Sequence, residues 1–375
     1  MNPVIIVLAA LATVVLPFAW FIQTLALRVV GTVPRRKVIL VRRVGEAVEL
    51  PESPLTTVPG NYGLWFGENF EHHALVGPIE RSDGHRVVRR VLHATAPIPS
   101  EPFEAQWTGH LMSGPAEIAS NWEDVSVPLQ DGTDAPAWLF RTADPGRPWV
   151  IHVQGIRTTR LVALRSVEAA QDAQLTSLVI TYRGAGDGPA AAVSQLGQRE
   201  WSDLADAIAY ARSHGASKVY VVAWSMGAGI ALELLRHQPK AIDRLALVAP
   251  ATNWRGIVQQ GVKRAGLPTF LARVVIWVLE SPAASKIVGM PSPLKFDQLN
   301  WTHNFTLSVP TLVIHSPGDE EIPFELTQEF ARTNPSARVV ETARAQHGWE
   351  ANADPEHFGP ALTAWLGSPS QSSPQ

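Results

Sequence analysis

From about residue 136 onward, short apolar runs alternate with segments of helical periodicity. Strands separated by helices are joined through crossovers, and such strands run parallel in one sheet. Because these runs are apolar at nearly every position, helices must cover both faces of the sheet. The sequence therefore predicts a doubly wound, mostly parallel α/β sheet within residues 136–367. The predicted strands are WVIHV (149–153), SLVITY (177–182), VYVVAW (219–224), RLALVA (244–249), TLVIHS (311–316) and ARVVE (337–341). The predicted helices are 160–173, 197–214, 226–237, 324–333 and 356–366.

One connection in this pattern is far longer than the others. Roughly sixty residues separate RLALVA from TLVIHS, whereas connections between a helix and a strand usually have about two to six residues. Within them, FLARVVIWVLE (270–280) has one apolar helical face, formed by Leu271, Val274, Val275 and Val278. The sequence therefore predicts a helical insert over about 253–309, and this insert is a candidate lid.

Residues 31–135 show a different pattern, in which turn signals separate short apolar runs. A β-rich accessory region is predicted here, and its role does not follow from the sequence. Its predicted strands are KVILVRRV (37–44), GLWFG (63–67), ALVGPIE (74–80) and HRVVRRVLH (85–93). At the other end of the chain, the polar tail SPSQSSPQ (368–375) is predicted to be disordered.

The first 27 residues carry no charge, and the apolar run 4–27 is long enough to cross a bilayer. Basic residues follow this run, which favours a cytoplasmic C-terminal side: Arg28, Arg35, Arg36, Lys37, Arg42 and Arg43. Residues 1–30 are therefore predicted to be an uncleaved transmembrane anchor. The protein would be a single-pass protein of the cell membrane with its catalytic domain in the cytoplasm. A cleaved signal peptide is the alternative.

Composition excludes several classes of function. The net charge of −3 and the 17% of charged residues argue against a nucleic-acid partner. The chain has no Cys, which removes disulfides, thiol nucleophiles and Cys-based zinc sites. The pair His72-His73 lacks partners at metal-ligand spacing and is interpreted as a surface pair. No metal site and no cofactor are predicted, and the oligomeric state stays open.

The stretch VVAWSMGAGIAL (221–232) places a serine between a predicted strand and a predicted helix. A sharp turn at that point would hold the hydroxyl of Ser225 out of the sheet, above the free N–H groups of the helix N-terminus. Such a turn crowds the residues two before and two after the serine. Both are small here, namely Ala223 and Gly227. A serine in this position is a candidate nucleophile, and a serine that only caps the helix is the alternative.

This stretch resembles the nucleophile elbow G-x-S-x-G of the α/β-hydrolase family, with Ala223 in place of the first glycine. The resemblance covers about residues 136–367. It implies an acid and a histidine that follow the serine, each after a later strand. In PGDEEIP that acid is Asp319, with Glu320 and Glu321 as less well-spaced alternatives, and in AQHGWE the histidine is His347.

The resemblance also implies the roles of these residues. His347 would take the proton of Ser225, and Asp319 would orient the imidazole. A pKa near about 6.5 for His347 would suit that task. The stretch HVQGIR (152–157) is similar to the family's oxyanion loop, which implies backbone N–H donors at Gln154 and Met226, with His152 shaping the loop.

Within the family, the chain is most similar to membrane-anchored bacterial serine hydrolases. The predicted function is hydrolysis of a carboxylic ester, with an acyl or lipid-like substrate, through an acyl-serine intermediate. A serine peptidase or amidase and an acyltransferase would use the same triad. A membrane-anchored binding or scaffold protein without catalysis is the alternative of another class.

Overall fold

The structure is a computed structural model that describes residues 3–34, 37–144, 146–303 and 305–368. It begins with helix α1 (Pro3–Val30), whose side chains are described at residue 13 and from residue 15 onward. Arg35 and Arg36, which belong to the predicted basic cluster, lie outside the described residues. The same holds for the predicted disordered tail beyond residue 368.

After α1, six strands close into an antiparallel barrel with the order β1-β2-β5-β4-β3-β6. The strands are β1 (Val38–Val44), β2 (Ala47–Pro51), β3 (Tyr62–Phe66), β4 (His72–Ser82), β5 (Arg86–Ala94) and β6 (Phe103–Thr108). Alternate residues such as Tyr62, Leu64 and Phe66 fill the interior. Closure leaves the barrel without a free sheet edge. Strands β2 and β6 are not predicted from the sequence, because charged residues interrupt both.

Eight further strands form one sheet with the order β14-β13-β12-β11-β9-β10-β8-β7. They are β7 (Trp122–Pro128), β8 (Asp134–Phe140), β9 (Trp149–Val153), β10 (Thr176–Ile180), β11 (Val219–Trp224), β12 (Arg244–Val248), β13 (Thr311–His315) and β14 (Ala337–Glu341). The strands from β9 to β14 pair in parallel, and β7 and β8 form an antiparallel edge. The sheet therefore starts at Trp122, earlier than the boundary at residue 136 that the sequence suggests.

Helices cover both faces of this sheet. They are α2 (Leu164–Asp172), α3 (Trp201–Ser213), α4 (Met226–His237), α5 (Trp254–Arg264), α6 (Phe270–Glu280), α7 (Phe324–Thr333), α8 (Glu350–Ala353) and α9 (Pro355–Gly367). Alternate residues of β11 belong to different cores: Val221 packs with α3 and α4, and Val222 packs with α2 and α9. The predicted doubly wound, mostly parallel sheet is confirmed.

The long connection between β12 and β13 contains α5, α6 and a 3₁₀ turn over Ala284–Val288. Asn253 begins α5 by accepting a hydrogen bond from the Gly256 N–H at 3.1 Å. On α6, the apolar face predicted from the sequence points into the protein, with Leu271, Val275 and Val278 buried. The predicted helical insert is therefore present, and it lies beside α1.

The C-terminal half of α1 packs against the α/β domain. Ile22, Leu25 and Val30 are buried in the core that also contains one face of α6. The amide of Gln23 donates a hydrogen bond to Ile287 O at 2.8 Å. At the last residue of the helix, Val30 O accepts a hydrogen bond from the Ser194 N–H at 2.7 Å. This end of the helix is therefore fixed to the domain by packing and by hydrogen bonds.

Among the helices of the described residues, none combines the length and the apolar character that a bilayer crossing requires. The predicted transmembrane anchor and the predicted single-pass location in the cell membrane are therefore wrong. The sequence pattern misled because hydropathy counts apolar residues without regard to what covers them. Here, part of the apolar surface of α1 is covered by the protein itself.

Candidate active site

Ser225 lies at the turn between β11 and α4, as the sequence predicts. Its backbone has φ 52° and ψ −116°, a conformation that non-glycine residues rarely adopt. The Ser225 N–H donates to Val248 O at 2.9 Å, which ties the turn to the neighbouring strand β12. A strained residue held by its surroundings is typical of functional sites. The turn presents the hydroxyl at the carboxyl end of the sheet, at the N-terminus of a helix.

The close approach of the loop after β9 explains why the flanking residues are small. A Cβ atom on Gly227 would lie 2.6 Å from Val153 O and 2.8 Å from Gln154 O. Ala223, which stands where the family motif has glycine, is fully buried. A Cβ atom on Gly155 would lie 3.0 Å from the Cβ of Ser225. The loop over 153–155 therefore runs directly beside the serine and the first turn of α4.

The three predicted polar side chains meet in one hydrogen-bonded chain. His347 Nε2 lies 2.8 Å from Ser225 Oγ, and His347 Nδ1 lies 2.6 Å from Asp319 Oδ2. The Asp319 Oδ1 atom accepts hydrogen bonds from the N–H groups of Glu321 and Ile322, at 2.8 and 2.9 Å. Both oxygens of the carboxylate are therefore held by hydrogen bonds, which lets it orient the imidazole.

The two alternative acids lie elsewhere. The carboxylates of Glu320 and Glu321 are exposed and face Arg264 at 3.3 and 3.9 Å. Neither of them has a hydrogen bond to His347 among the contacts of the described residues. Asp319 is therefore the acid that the geometry brings to the histidine.

A second histidine supports Asp319. His315 is fully buried, its Nε2 lies 3.0 Å from Asp319 Oδ2, and its Nδ1 lies 2.8 Å from Thr327 Oγ1. Donation from Nε2 to the carboxylate fits a hydroxyl that donates to Nδ1. The sequence shows His315 in the acid loop but does not reveal this contact, since the four-residue spacing alone does not determine how the loop turns.

Tyr182 holds the loop that contains Gln154 by hydrogen bonds to its backbone. The hydroxyl of Tyr182 donates to Gln154 O at 3.2 Å and to Gly155 O at 2.8 Å. His152 is buried, with its ring nitrogens 2.8 Å from Ser166 Oγ and 3.0 Å from Ser177 Oγ, and it does not contact Ser225. These contacts set the position of the loop beside Met226 at the start of α4.

Two family models match parts of the chain. A model described as alpha/beta hydrolase fold matches residues 148–287, and a model described as a domain of unknown function matches residues 39–108. An esterase of Pyrococcus furiosus is similar in structure, with 18% identity, a TM-score of 0.53, and coverage of 68% of this chain and 93% of its own. A protein from Agrobacterium vitis S4 is 16% identical, with a TM-score of 0.50 and coverage of 66% and 98%. No curated protein matches.

The chain has the α/β-hydrolase fold. The deciding observations are the eight-stranded sheet with its helical insert and the structural match to the P. furiosus esterase over most of that protein. Residues 122–367 are called the α/β domain. The predicted narrower similarity to membrane-anchored members is not supported, because no helix among the described residues is long and apolar enough to span a membrane.

Charged groups within the α/β domain raise the pKa of His347. Burial disfavours its charged form, but the adjacent Asp319 carboxylate outweighs burial and raises the pKa of His347 to about 9. Burial would raise the pKa of Asp319, and the facing rings of His347 and His315 instead hold it well below its usual range. Asp319 is therefore ionised at neutral pH. The pKa near 6.5 that the sequence suggests for His347 is replaced by a raised value.

This shift predicts an alkaline pH dependence. Only the neutral imidazole of His347 can accept a proton from Ser225, so kcat/KM should rise with pH through the pKa of His347 in the free protein. We expect the inflection clearly above 6.5, towards about 9. The measurement is kcat/KM for an uncharged ester between pH 5 and about 10. An inflection below 6.5, followed by a plateau, would contradict the Asp319–His347 electrostatics.

The described residues contain one group whose atoms lie close enough to hold a metal ion, namely His315, Asp319 and Glu350, within 4.8 Å of one another. His315 and Asp319 already hydrogen-bond to each other, and Asp319 also hydrogen-bonds to His347. Burial raises the pKa of the Glu350 carboxyl group above its usual value. The group is better described as the buried surroundings of the Asp319–His347 pair.

The histidine pair at the start of β4 differs from its interpretation as a surface pair. His72 is partly exposed, but His73 is buried, and its Nε2 lies 3.0 Å from His110 O. Its ring also packs against Trp65, with the ring centroids 4.7 Å apart. Alternation along a strand puts neighbouring residues on opposite faces, so one member of the pair points into the protein.

Two cavities meet at Ser225 and His347. The first has a volume of about 250 Å³ and is called the helix chamber, because its apolar walls come from α1, α5 and α6: Leu25, Val29, Ile257, Val258, Val262 and Val275. The second has a volume of about 180 Å³ and is called the barrel chamber, because the segment that leaves the barrel forms one wall. It is lined by Gly109, His110, Arg165, Trp224 and Trp349.

Proposed function

We propose that the protein is a serine hydrolase that cleaves carboxylic esters of small molecules with an apolar acyl part, with Ser225 as nucleophile. The observation that carries this proposal is the hydrogen-bonded chain from Ser225 Oγ through His347 to Asp319. A hydroxyl needs such a base to become a nucleophile, and the base needs an orienting acid. The similarity of the fold to an esterase agrees with this class of reaction.

The reaction would proceed in two steps. Ser225 Oγ attacks the ester carbonyl carbon while its proton moves to His347 Nε2. The carbonyl oxygen becomes an oxyanion that accepts hydrogen bonds from the backbone N–H groups of Gln154 and Met226. The tetrahedral intermediate then collapses, and His347 gives its proton to the departing alcohol oxygen. His347 then deprotonates a water molecule, which attacks the carbonyl carbon of acyl-Ser225. As this second tetrahedral intermediate collapses to the carboxylic acid, the bond to Ser225 Oγ breaks and His347 returns the proton to Oγ.

The helix chamber suits the acyl part of the substrate. Its walls are more apolar than polar, although Arg28, Arg157, Arg264 and Glu321 also line it, and Ser225 is one of its lining residues. Each CH₂ group that leaves water contributes about 0.8 kcal/mol, which corresponds to about fourfold in kcat/KM. We therefore expect kcat/KM to rise by about fourfold per CH₂ from acetate upward, until the chamber is full.

A panel of p-nitrophenyl esters from acetate to decanoate tests this substrate class. Gly261 of α5 lines the helix chamber, and a Cβ atom there meets nothing within 4 Å. Gly261→Leu should therefore fold and shift the preference to shorter chains. Gly359→Leu makes the same change on α9, also in open space, and should leave the preference unchanged. A wild-type preference for acetate, or equal shifts in both variants, would contradict an acyl site between these helices.

A further inference from the structure

The loop that carries His347 is in contact with the barrel. Two residues after the histidine, the Trp349 ring packs on the ring of Tyr62 in β3, with the centroids 4.8 Å apart. Trp349 also packs against the core of the barrel. The residue between them, Gly348, has φ 71°, so the chain turns sharply from the histidine towards the barrel. An aromatic side chain at this place acts as a fixed point two residues from the proposed base.

Asn352 makes a second connection to the barrel. Its side chain is buried, and its Nδ2 donates to Asn61 O at 2.7 Å and to Gly109 O at 3.0 Å. Its Oδ1 accepts from the guanidinium of Arg165, which also donates to Gly348 O at 2.9 Å. One amide therefore joins the barrel to the segment after the proposed base and to α2. Every polar atom of this amide has a partner, which is expected of a buried polar group.

The segment that leaves the barrel approaches this loop too closely for a side chain. A Cβ atom on Gly109 would lie 2.7 Å from Trp349 Cδ1 and Nε1, and 3.2 Å from Asn352 Oδ1. Gly109 and His110 also line the barrel chamber together with Ser225. The glycine is therefore a place where one added methyl group would push on the histidine loop.

We propose that the barrel is a working part of the active site, and that it positions His347 against Ser225 through Trp349 and Asn352. Trp349 and Asn352 are positioning residues, because they act on the histidine through the backbone of its loop. This proposal rests on the proposed roles of Ser225 and His347. It gives a part in catalysis to residues 39–108, which a model described as a domain of unknown function matches.

The energetic reason is the narrow tolerance of proton transfer. A displacement of about 1 Å at a catalytic group can cost about 100-fold in rate. The loop that carries His347 leads into α8, which has only four residues and therefore little stability of its own. The contacts of the barrel with Trp349 and Asn352 replace the regular structure that this loop lacks.

The test compares two glycines of one segment in the full chain. Gly109→Ala inserts a methyl group against Trp349, whereas Gly114→Ala adds one where nothing lies within 4 Å and the backbone is extended. The readout is the rate at which a small fluorophosphonate adds to the protein, followed by intact mass, together with kcat and KM for a short ester. We expect Gly109→Ala to lower the labelling rate and kcat by about 10- to 100-fold with little change in KM, and Gly114→Ala to match the wild type.

A second pair separates positioning from stability. Asn352 and Asn334 are both buried, and both side chains make several hydrogen bonds, but Asn334 joins α7 to Leu307 at the far end of the sheet. Alanine at either position should lower the melting temperature. Only Asn352→Ala should also slow labelling at temperatures where the protein is folded, and its pH profile should shift because the environment of His347 changes.

The outcomes distinguish this inference from the proposed function. If the wild type is not labelled, the proposed function fails. If the wild type is labelled, and folded Gly109→Ala and Asn352→Ala are labelled at the same rate, the positioning role of the barrel is wrong. Equal slowing by Asn352→Ala and Asn334→Ala would also overturn it, because stability alone would then explain the effect.

Discussion

Ser225→Ala is expected to lower kcat for activated esters by about 10⁴- to 10⁶-fold, since the loss of a serine nucleophile in a triad has effects of this size. The substitution removes one oxygen atom at the turn between β11 and α4. The substitution should not change the backbone strain at this residue, because φ 52° is as unfavourable for alanine as for serine. The protein should therefore fold as before while its proposed nucleophile is gone. Steady-state kinetics with p-nitrophenyl esters measure the loss.

Ser213→Ala is the matched control. Ser213 is exposed at the end of α3, where its hydroxyl donates to Tyr210 O, one helical turn earlier, and lies 3.1 Å from His214 Nδ1. Its kcat should lie within about twofold of the wild type, because exposed substitutions rarely affect a distant site. If Ser225→Ala retains the activity of this control, the chain either uses another nucleophile or hydrolyses no ester at this site.

Asp319→Asn should have the second-largest effect, a loss of about 10⁴-fold in kcat. The carboxylate accepts from His347 Nδ1 at 2.6 Å, so that in the neutral imidazole Nε2 is the unprotonated nitrogen that faces Ser225. An amide NH₂ at that place would donate to Nδ1 instead. The proton would then move to Nε2, in the tautomer that cannot accept the serine proton.

Glu320→Gln is the control for this change, and it also tests the acid that the sequence leaves as an alternative. The Glu320 carboxylate is exposed beside Arg264, and surface ion pairs of this kind contribute about 0–1 kcal/mol. Activity close to that of the wild type is expected. A loss as large as that of Asp319→Asn would mean that the acid loop rearranges when substrate binds.

The fold of the α/β domain was predictable because the apolar strand runs, the helical periodicity and the positions of small and polar residues all indicate the same parallel sheet. Runs such as VYVVAW are apolar at every position, and β11 is indeed buried on both faces. Small residues around Ser225 and polar residues after β13 and β14 mark the carboxyl edge of the sheet. Parallel strands bring these positions together, so the meeting of Ser225, Asp319 and His347 follows from topology.

Long-range packing was not predictable in the same way. The sequence of α1 shows that its residues are apolar, but it does not show whether lipid or protein covers them. In the structure, Leu25 packs in the main core. The closure of the barrel depends on β6 pairing with β1 across sixty residues of chain. Trp349 and Gly109 are far apart in sequence, and no local sequence pattern predicts their close approach in the fold.

The proposed function requires Ser225 to be an activated nucleophile. The most direct measurement is the intact mass of the full-length protein after incubation with a fluorophosphonate, which adds covalently to activated serines, for the wild type and for Ser225→Ala. We expect one addition to the wild type and none to the variant. No addition to the folded wild type, or equal addition to both proteins, would contradict the role of Ser225 as an activated nucleophile.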